Sequence, residues 1–318
     1  MTEVPGGRIA LHPRLRAMLG KLAGLPAMHS FPLHELRAMA TTRFAGRAPR
    51  VEVARIEERM VPGPAGEIPV RIYHPQPGKA LALVVFFHGG AFVMCGLDSH
   101  DPMCRRLAAG SGCVGASVDY RLAPEHPFPA ATDDCLAATR WLAAHAREIG
   151  ADPKRVALAG DSAGGNLAAV TAVALRDAGM DLVRAQLLVY PMTDVPDPGS
   201  RSFVENGQGC GLDSDTVQHF WPLYHPATAR TDARAAPLRA PTLAGLPPAY
   251  VMTAGYDVLR DEGDAYAQRL ADAGVATVLR RYPDMNHGFL FAAGTLDSAD
   301  EALADACAWL ASTLNPTA

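Results

Sequence analysis

The feature that most constrains the fold is a set of short segments that are apolar at nearly every position. LALVVFF at 81–87, RVALA at 155–159 and QLLVY at 186–190 lack the alternation of a strand with one solvent-facing side. Such runs are typical of central strands in a parallel sheet, which are buried on both faces. The chain is therefore predicted to adopt an α/β fold, with helices covering both faces of the sheet.

Eight strands are expected in this sheet. They are predicted at 51–60, 68–73, 82–88, 113–119, 155–160, 185–190, 249–254 and 277–282. Helical segments separate many of them, at 133–148, 163–178, 261–273 and 298–313. Three of these helices end close to a glycine, the residue that most often closes a helix. The predicted architecture is an eight-stranded, mostly parallel sheet flanked by helices.

Two segments, 1–45 and 195–240, interrupt the alternation of strands and helices. The first places Leu11, Leu15, Met18, Leu19 and Leu22 on one face of a helix. The second is rich in proline and glycine and contains the bulky run FWPLY at 220–224. We predict that both form a helical cap over the C-terminal edge of the sheet, leaving 46–194 and 241–318 as the core. The alternative is an N-terminal extension and a long loop, although loops of this length are usually functional.

Composition excludes several classes of protein. The 318 residues carry a net charge of −4, and the arginines are scattered, so a basic surface for nucleic acid is not expected. Basic residues interrupt the first 30 positions, which argues against a signal peptide, and no apolar run reaches the length of a membrane span. None of the six cysteines forms a C-x-x-C pair. A cytoplasmic protein with reduced cysteines is predicted.

The motif GDSAGG at 160–165 is the strongest indication of chemistry. It follows a predicted strand and opens a predicted helix, which is the setting of a nucleophile elbow centred on Ser162. Small neighbours are needed there because the serine lies on a tight strand-to-helix turn. The N-terminal amides of the following helix favour developing negative charge. Ser162 is therefore a candidate nucleophile.

A serine hydroxyl needs a base within hydrogen-bonding reach, and the base needs a carboxylate to orient it. His287 follows the eighth predicted strand and Asp257 follows the seventh. Asp261 and Glu262 are rivals that fall about one turn later, inside the next helix, and Asp284 is a third rival. The order serine, aspartate, histidine along the chain is that of α/β hydrolases. Ser162, Asp257 and His287 are predicted to form a catalytic triad.

A fourth group, HGGAF at 88–92, follows the third predicted strand. Glycines at such a turn let backbone N–H groups approach a tetrahedral intermediate, and each donor contributes roughly 3–4 kcal/mol to transition-state stabilisation. The predicted donors are the amides of Gly89, Gly90 and Ala163, with Ala91 as a further candidate. His88 is expected to hold this loop in place.

These motifs resemble those of the bacterial hormone-sensitive-lipase-like esterases, the family IV lipolytic group. HGGAF, DYRLAPEHPFPA at 119–130, GDSAGG, DVLRDEG at 257–263 and NHGF at 286–289 carry the resemblance over about 80–290. It implies an α/β-hydrolase fold with Ser162, Asp257 and His287 as the triad and a cap that selects the substrate. It also implies a homodimer as one possible assembly, because members of the family are often dimers.

Three positions depart from the family pattern. Ala91 stands where a third glycine is usual, Val258 replaces a proline after the acid, and Cys210–Leu212 replaces an aromatic residue near the second cap helix. Arg121 and Glu125, within the second motif, are expected to pair.

The predicted function is hydrolysis of short- to medium-chain carboxylic esters by a serine mechanism. The substrate is a small-molecule ester, and no cofactor or metal is required. An amide, a lactone or an acetylated small molecule is an alternative substrate for the same residues. A ligand receptor that has kept the fold without the reaction is a second alternative.

Overall fold

Strands and helices alternate along most of the chain in the computed structural model, which describes residues 3–4, 8–45, 49–225 and 232–315. Within these ranges the strands are β1 (Glu3–Val4), β2 (Arg8–Ile9), β3 (Arg55–Gly63), β4 (Gly66–His74), β5 (Leu81–Phe87), β6 (Val114–Val118), β7 (Ala151–Asp161), β8 (Val183–Val189), β9 (Ala249–Tyr256) and β10 (Thr277–Asn286). The helices are α1 (Pro13–Leu22), α2 (Leu33–Ala45), α3 (Leu97–Ser111), α4 (Ala130–Ala144), α5 (Ala163–Asp177), α6 (Arg201–Asn206), α7 (Ser214–Tyr224), α8 (Arg260–Asp272) and α9 (Asp297–Leu314).

Eight of the strands form one sheet in the order β10-β9-β8-β7-β5-β6-β4-β3. The pairs β3–β4 and β4–β6 are antiparallel, and every other pair is parallel. Each of the eight predicted strands overlaps one of these, so the prediction of an eight-stranded, mostly parallel sheet is confirmed.

Two hydrophobic cores lie on opposite faces of this sheet, and β5 contributes to both. Leu83, Val85 and Phe87 pack into the core that includes residues of α4, α5 and α8. The intervening Ala82, Val84 and Phe86 pack into the core formed with α3 and α9. Burying a leucine or phenylalanine side chain contributes roughly 1.5–3 kcal/mol. This two-sided burial explains why the strand has no polar position.

The C-terminal ends of five neighbouring parallel strands meet at one edge of the sheet. Register pairs Phe87 with Gly160, Asp161 with Val189, and Asn286 with Tyr256. The residues directly after β5, β7, β8, β9 and β10 are His88, Ser162, Tyr190, Asp257 and His287. Parallel strands therefore deliver these five side chains to the same edge.

The helix predicted near the N-terminus is α1. Pro13 occupies its first position, where a missing N–H costs nothing, and Leu15 is buried. The two segments predicted as a cap contact each other, because His29 Nδ1 lies 3.0 Å from Thr216 Oγ1 of α7. In the second segment, Tyr224 stacks on Phe92 with the ring centroids 3.6 Å apart. The first segment contacts the chain just after Phe92, in the loop that follows β5, where Arg37 Nε donates to the carbonyl oxygen of Val93 at 2.8 Å.

Two local predictions are corrected by the structure. The helix predicted at 133–148 ends at Ala144 and continues as a separate 3-10 turn, Ala146–Ile149. Arg121 pairs with Asp134 at 2.7 Å, whereas Glu125 pairs with Arg37 of α2 at 2.7 Å. The expected pairing of Arg121 with Glu125 is wrong because α2 and α4 each bring a closer partner. A search of the described helices finds none long and apolar enough to cross a membrane.

Candidate active site

The turn between β7 and α5 holds Ser162 in a strained conformation, with φ of 56° and ψ of −119°. The residues two positions before and two positions after this serine must be very small. A Cβ atom on Gly164 would lie 1.9 Å from the carbonyl oxygen of Phe87, and one on Gly160 would lie 2.2 Å from that of Gly164. The backbone of the turn thus packs directly on β5 and on itself. This close packing places the serine hydroxyl above the edge of the sheet, at the start of α5.

His287 contacts both other members of the predicted triad. Its Nε2 lies 3.0 Å from Ser162 Oγ, and its Nδ1 lies 2.7 Å from Asp257 Oδ2. Asp257 is buried, and its Oδ1 accepts a hydrogen bond from the amide of Leu259 at 2.9 Å. A carboxylate only accepts hydrogen bonds, so Nδ1 carries the proton and Nε2 is left to accept from the serine.

Two of the three rival carboxylates, Asp261 and Glu262, are engaged elsewhere. Asp261 Oδ2 accepts from the amide of Ser202, and Asp261 Oδ1 pairs with Arg260. Glu262 accepts from the amide of Thr193 at 2.7 Å, and burial raises the pKa of Glu262 well above its ordinary value. Of the predicted carboxylates, the structure therefore brings Asp257 to His287.

A residue that the sequence analysis missed, Tyr190, packs against the histidine. Its ring centroid lies 4.7 Å from that of His287, and its backbone φ is 34°. Its position directly after β8 was the available signal, because every residue that follows a parallel strand reaches this edge.

The loop after β5 turns sharply through positive φ values at Gly90, Ala91 and Phe92, which are 116°, 53° and 64°. A Cβ atom on Gly90 would lie 2.2 Å from the carbonyl oxygen of Met94, so this position requires glycine. Ala91 stands at the position of the third glycine in the motif of the resembled family, and it adopts a left-handed conformation here. Alanine tolerates this conformation at a cost of roughly 1–2 kcal/mol.

The amide of Gly89 donates a 2.8 Å hydrogen bond to Asp161 Oδ1. The structure thus contradicts the assignment of Gly89 to the oxyanion hole, because its N–H already has an acceptor. Among the described residues, no hydrogen-bond acceptor is found for the amides of Gly90, Ala91 and Ala163. Those three amides are the available donors beside Ser162.

His88 is fully buried beneath the loop. Its Nδ1 lies 2.7 Å from the carbonyl oxygen of Gly89, and its ring stacks on Tyr120 with the centroids 4.2 Å apart. Burial, together with the neighbouring His100, lowers the pKa of His88 to about 3. The side chain is therefore neutral at neutral pH.

This burial predicts a loss of stability in mild acid. Unfolded His88 binds a proton below its ordinary pKa of about 6.5, whereas folded His88 stays neutral down to about pH 3. Protonation therefore favours the unfolded chain in this window, by at most about 1.4 kcal/mol per pH unit. Urea unfolding of His88→Asn between pH 7 and 4 is expected to show a shallower loss than wild type. His34→Asn is the control, because His34 is exposed. An equal loss of unfolding free energy between pH 7 and 4 in all three proteins would contradict the prediction.

An apolar pocket of about 160 Å³ opens beside Ser162. Its walls include residues of the core and of both predicted cap segments: Leu15, Met18, Leu212, Phe220, Trp221 and Phe289. A second cavity of about 650 Å³ adjoins it, and the two share Leu19, Met28, Met94, Gly211 and Thr216. Near this shared wall, the side-chain Nδ2 of Asn286 donates to the carbonyl oxygen of Cys210 at 3.1 Å, which ties the second predicted cap segment to the residue before His287.

The fold and this site define the chain as an α/β hydrolase with a serine, histidine and aspartate in series. A family model described as the alpha/beta hydrolase fold matches residues 84–291. The chain is 47% identical to Esterase LipI of Mycobacterium tuberculosis over 253 residues, covering 78% of this chain and 79% of that protein. It is 36% identical to the ethyl acetate hydrolase of Pseudomonas putida, covering 93% and 96%.

Solved structures agree with these sequence matches. The hyperthermophilic esterase of Pyrobaculum calidifontis superposes with a TM-score of 0.90 at 39% identity, covering 96% of this chain and 99% of that one. A thermostable esterase of Pseudomonas putida superposes with a TM-score of 0.93 at 34% identity, covering 99% and 100%. The chain belongs to the hormone-sensitive-lipase-like family of α/β hydrolases, as its motifs indicated, and it is a carboxylic ester hydrolase.

Proposed function

We propose that the chain hydrolyses short- to medium-chain carboxylic esters through an acyl-enzyme formed on Ser162. The observation that carries this proposal is the position of His287, which lies 3.0 Å from Ser162 Oγ and 2.7 Å from Asp257 Oδ2. A histidine in this position is able to accept the serine proton while the carboxylate stabilises the resulting imidazolium.

In the first step, Ser162 Oγ attacks the carbonyl carbon of the ester while His287 Nε2 takes the hydroxyl proton. The carbonyl oxygen becomes an oxyanion in a tetrahedral intermediate. When this intermediate collapses, the bond to the alcohol oxygen breaks and His287 returns the proton to that oxygen. The alcohol leaves, and the acyl group remains on the serine.

In the second step, water attacks the acyl carbon and gives its proton to His287. The new tetrahedral intermediate expels Ser162 Oγ, which recovers the proton from the histidine. The products are one carboxylic acid and the free enzyme. Each proton transfer passes through His287, and the acyl group passes through Ser162 to water.

Both intermediates carry a negative oxygen that needs fixed donors. We assign this role to the amides of Gly90, Ala91 and Ala163, because they border Ser162 and have no acceptor among the described residues. Ala163 also begins α5, so the helix N-terminus adds its partial positive charge at the same point.

The segments 1–45 and 195–240 act in this proposal as a cap over the core of 46–194 and 241–318. Support comes from the pocket beside Ser162, which both segments help to line. An apolar cavity of about 150 Å³ accommodates a molecule the size of benzene, so the 160 Å³ pocket suits one short or compact arm of an ester. The adjoining 650 Å³ cavity leaves room for a larger second arm.

The size of the pocket leads to a prediction for the acyl chain. With a common nitrophenol leaving group, kcat/KM is expected to peak at a short acyl chain and to fall by about ten carbons, because longer chains exceed the pocket. The measurement is a rate profile over esters of increasing chain length. A matched nitroanilide in the same assay separates an esterase from an amidase, and rates that keep rising beyond about ten carbons would contradict the proposal.

The predicted homodimer and cytoplasmic location stay predictions.

A further inference from the structure

A buried carboxylate joins the two chain segments that carry the proposed oxyanion donors. Asp161 is the last residue of β7 and directly precedes Ser162. Its Oδ1 accepts a hydrogen bond from the amide of Gly89 at 2.8 Å. Gly89 in turn directly precedes Gly90 and Ala91. One carboxylate therefore links the loop after β5 to the turn that carries the serine.

The contact is close enough to require a glycine. A Cβ atom on Gly89 would lie 2.5 Å from Asp161 Oδ2 and 2.9 Å from the Asp161 carbonyl oxygen. Any larger residue at position 89 would push the loop away from β7. The close approach of Asp161 thus explains the glycine at position 89. A place in the oxyanion hole does not explain it, because the Gly89 amide already donates to Asp161 Oδ1.

His100 contacts the same carboxylate oxygen, and its Nε2 also lies 3.3 Å from the amide nitrogen of Gly89. This histidine lies in α3, is buried, and places Nε2 at 3.1 Å from Asp161 Oδ1. Its Nδ1 lies 2.9 Å from Ser99 Oγ, and that hydroxyl is within 2.9 Å of both the N and the O of Gly96. Asp161 is therefore fixed to the beginning of α3 as well as to the loop.

The electrostatics agree with this geometry. Burial alone raises the pKa of Asp161, but the charge and hydrogen bond of His100 and the amide of Gly89 together lower it. A buried carboxylate is tolerated when such partners satisfy it, and removing one partner is costly. The two partners of Asp161 thus keep it ionised and in place.

We propose that Asp161 and His100 are positioning residues for ester hydrolysis, which hold the Gly90 and Ala91 amides in register with Ser162. This inference rests on the proposed function, and it assigns a role to two buried residues outside the triad. Donors stabilise an oxyanion only when they lie about 2.7–3.1 Å from it, so a small shift of the loop weakens the transition state more than substrate binding.

The first test replaces His100 in two ways. His100→Leu keeps the volume and removes the donor to Asp161, whereas His100→Gln is able to present an N–H close to the position of Nε2. We expect kcat of His100→Leu to fall about 10- to 100-fold with KM within about threefold, and His100→Gln to recover most of the loss. A trifluoromethyl ketone, whose adduct places an oxyanion in the hole, is expected to lose affinity in parallel with kcat/KM.

The second test replaces Asp161. Asp161→Ala removes the acceptor that lies 2.8 Å from the Gly89 amide and leaves only the longer 3.3 Å contact with His100 Nε2. It is expected to lose about 100-fold or more in kcat, while Asp161→Asn, whose amide oxygen still accepts, loses less. Asp134→Ala is the matched control, because Asp134 is equally buried and its partner, Arg121, lies outside both segments that carry the proposed oxyanion donors. Asp134→Ala is expected to lose stability in urea but to keep kcat within about twofold.

The outcomes separate this inference from the function on which it rests. A wild-type protein that hydrolyses no ester contradicts the proposed function. An active wild type together with folded His100→Leu and Asp161→Ala variants of unchanged kcat overturns the positioning role alone. So does a loss confined to KM, or an equal loss of kcat in His100→Leu and His100→Gln. If Asp161→Ala does not fold, the comparison of His100→Leu with His100→Gln tests the positioning role by itself.

Discussion

Replacing Ser162 with alanine is expected to lower kcat for an aryl ester by about six orders of magnitude, as loss of the nucleophile does in a serine protease. The alanine removes the atom that forms the acyl-enzyme. The backbone of the turn is retained, because alanine fits wherever the serine side chain does. Rates with a nitrophenyl ester under saturating substrate measure the effect.

The matched control is Ser111→Ala. Ser111 is also buried, and its hydroxyl donates to the carbonyl of Leu107 at the end of α3. This variant is expected to keep full activity and to react with a fluorophosphonate as the wild type does. Ser162→Ala is expected to unfold in urea at nearly the wild-type concentration and to lose labelling. Activity of folded Ser162→Ala equal to wild type would end the proposal.

The second large effect is expected from Asp257→Asn, at about four orders of magnitude in kcat. The carboxylate accepts from His287 Nδ1 at 2.7 Å and from the amide of Leu259 at 2.9 Å. An asparagine that turns its NH2 group toward Nδ1 selects the other tautomer of the histidine. Nε2 then carries the proton and is unable to accept one from Ser162.

The rival aspartate provides the control for this substitution. Asp261→Asn removes a charge only a few residues away, where Asp261 pairs with Arg260 and accepts from the amide of Ser202. We expect its kcat to stay within about threefold of wild type, since it does not contact His287. A larger loss in Asp261→Asn than in Asp257→Asn would show that the histidine takes its orientation from the other carboxylate.

Much of this architecture was predictable because its signals are local. A strand buried on both faces must be apolar throughout, as β5 is, and the eight predicted strands all occur. A serine between glycines at the end of a strand indicates a tight turn, and the structure places Ser162 there with a φ of 56°. Residues that follow parallel strands share an edge, which is why His287 and Asp257 were predicted to meet the serine.

Other features depended on partners that no local pattern identifies. Gly89 was assigned to the oxyanion hole by its position in HGGAF, but its amide is bound by Asp161, 72 residues away. Arg121 was paired with a neighbour in its own motif, whereas its partner is Asp134 on α4. Tyr190 was expected only as the end of a strand, and its contact with His287 requires β8 and β10 to end at one edge.

The amino-acid sequence by itself determined the order of strands and helices, the strained turn at Ser162 and the three residues that could act in series. These follow from covalent connectivity, from the burial of apolar side chains and from the need for small residues at tight turns. Only the tertiary structure decided which backbone amides remain open to an oxyanion and which carboxylate holds the loop. Hydrogen bonds act over about 3 Å, so these choices depend on how distant segments pack against one another across the sheet edge.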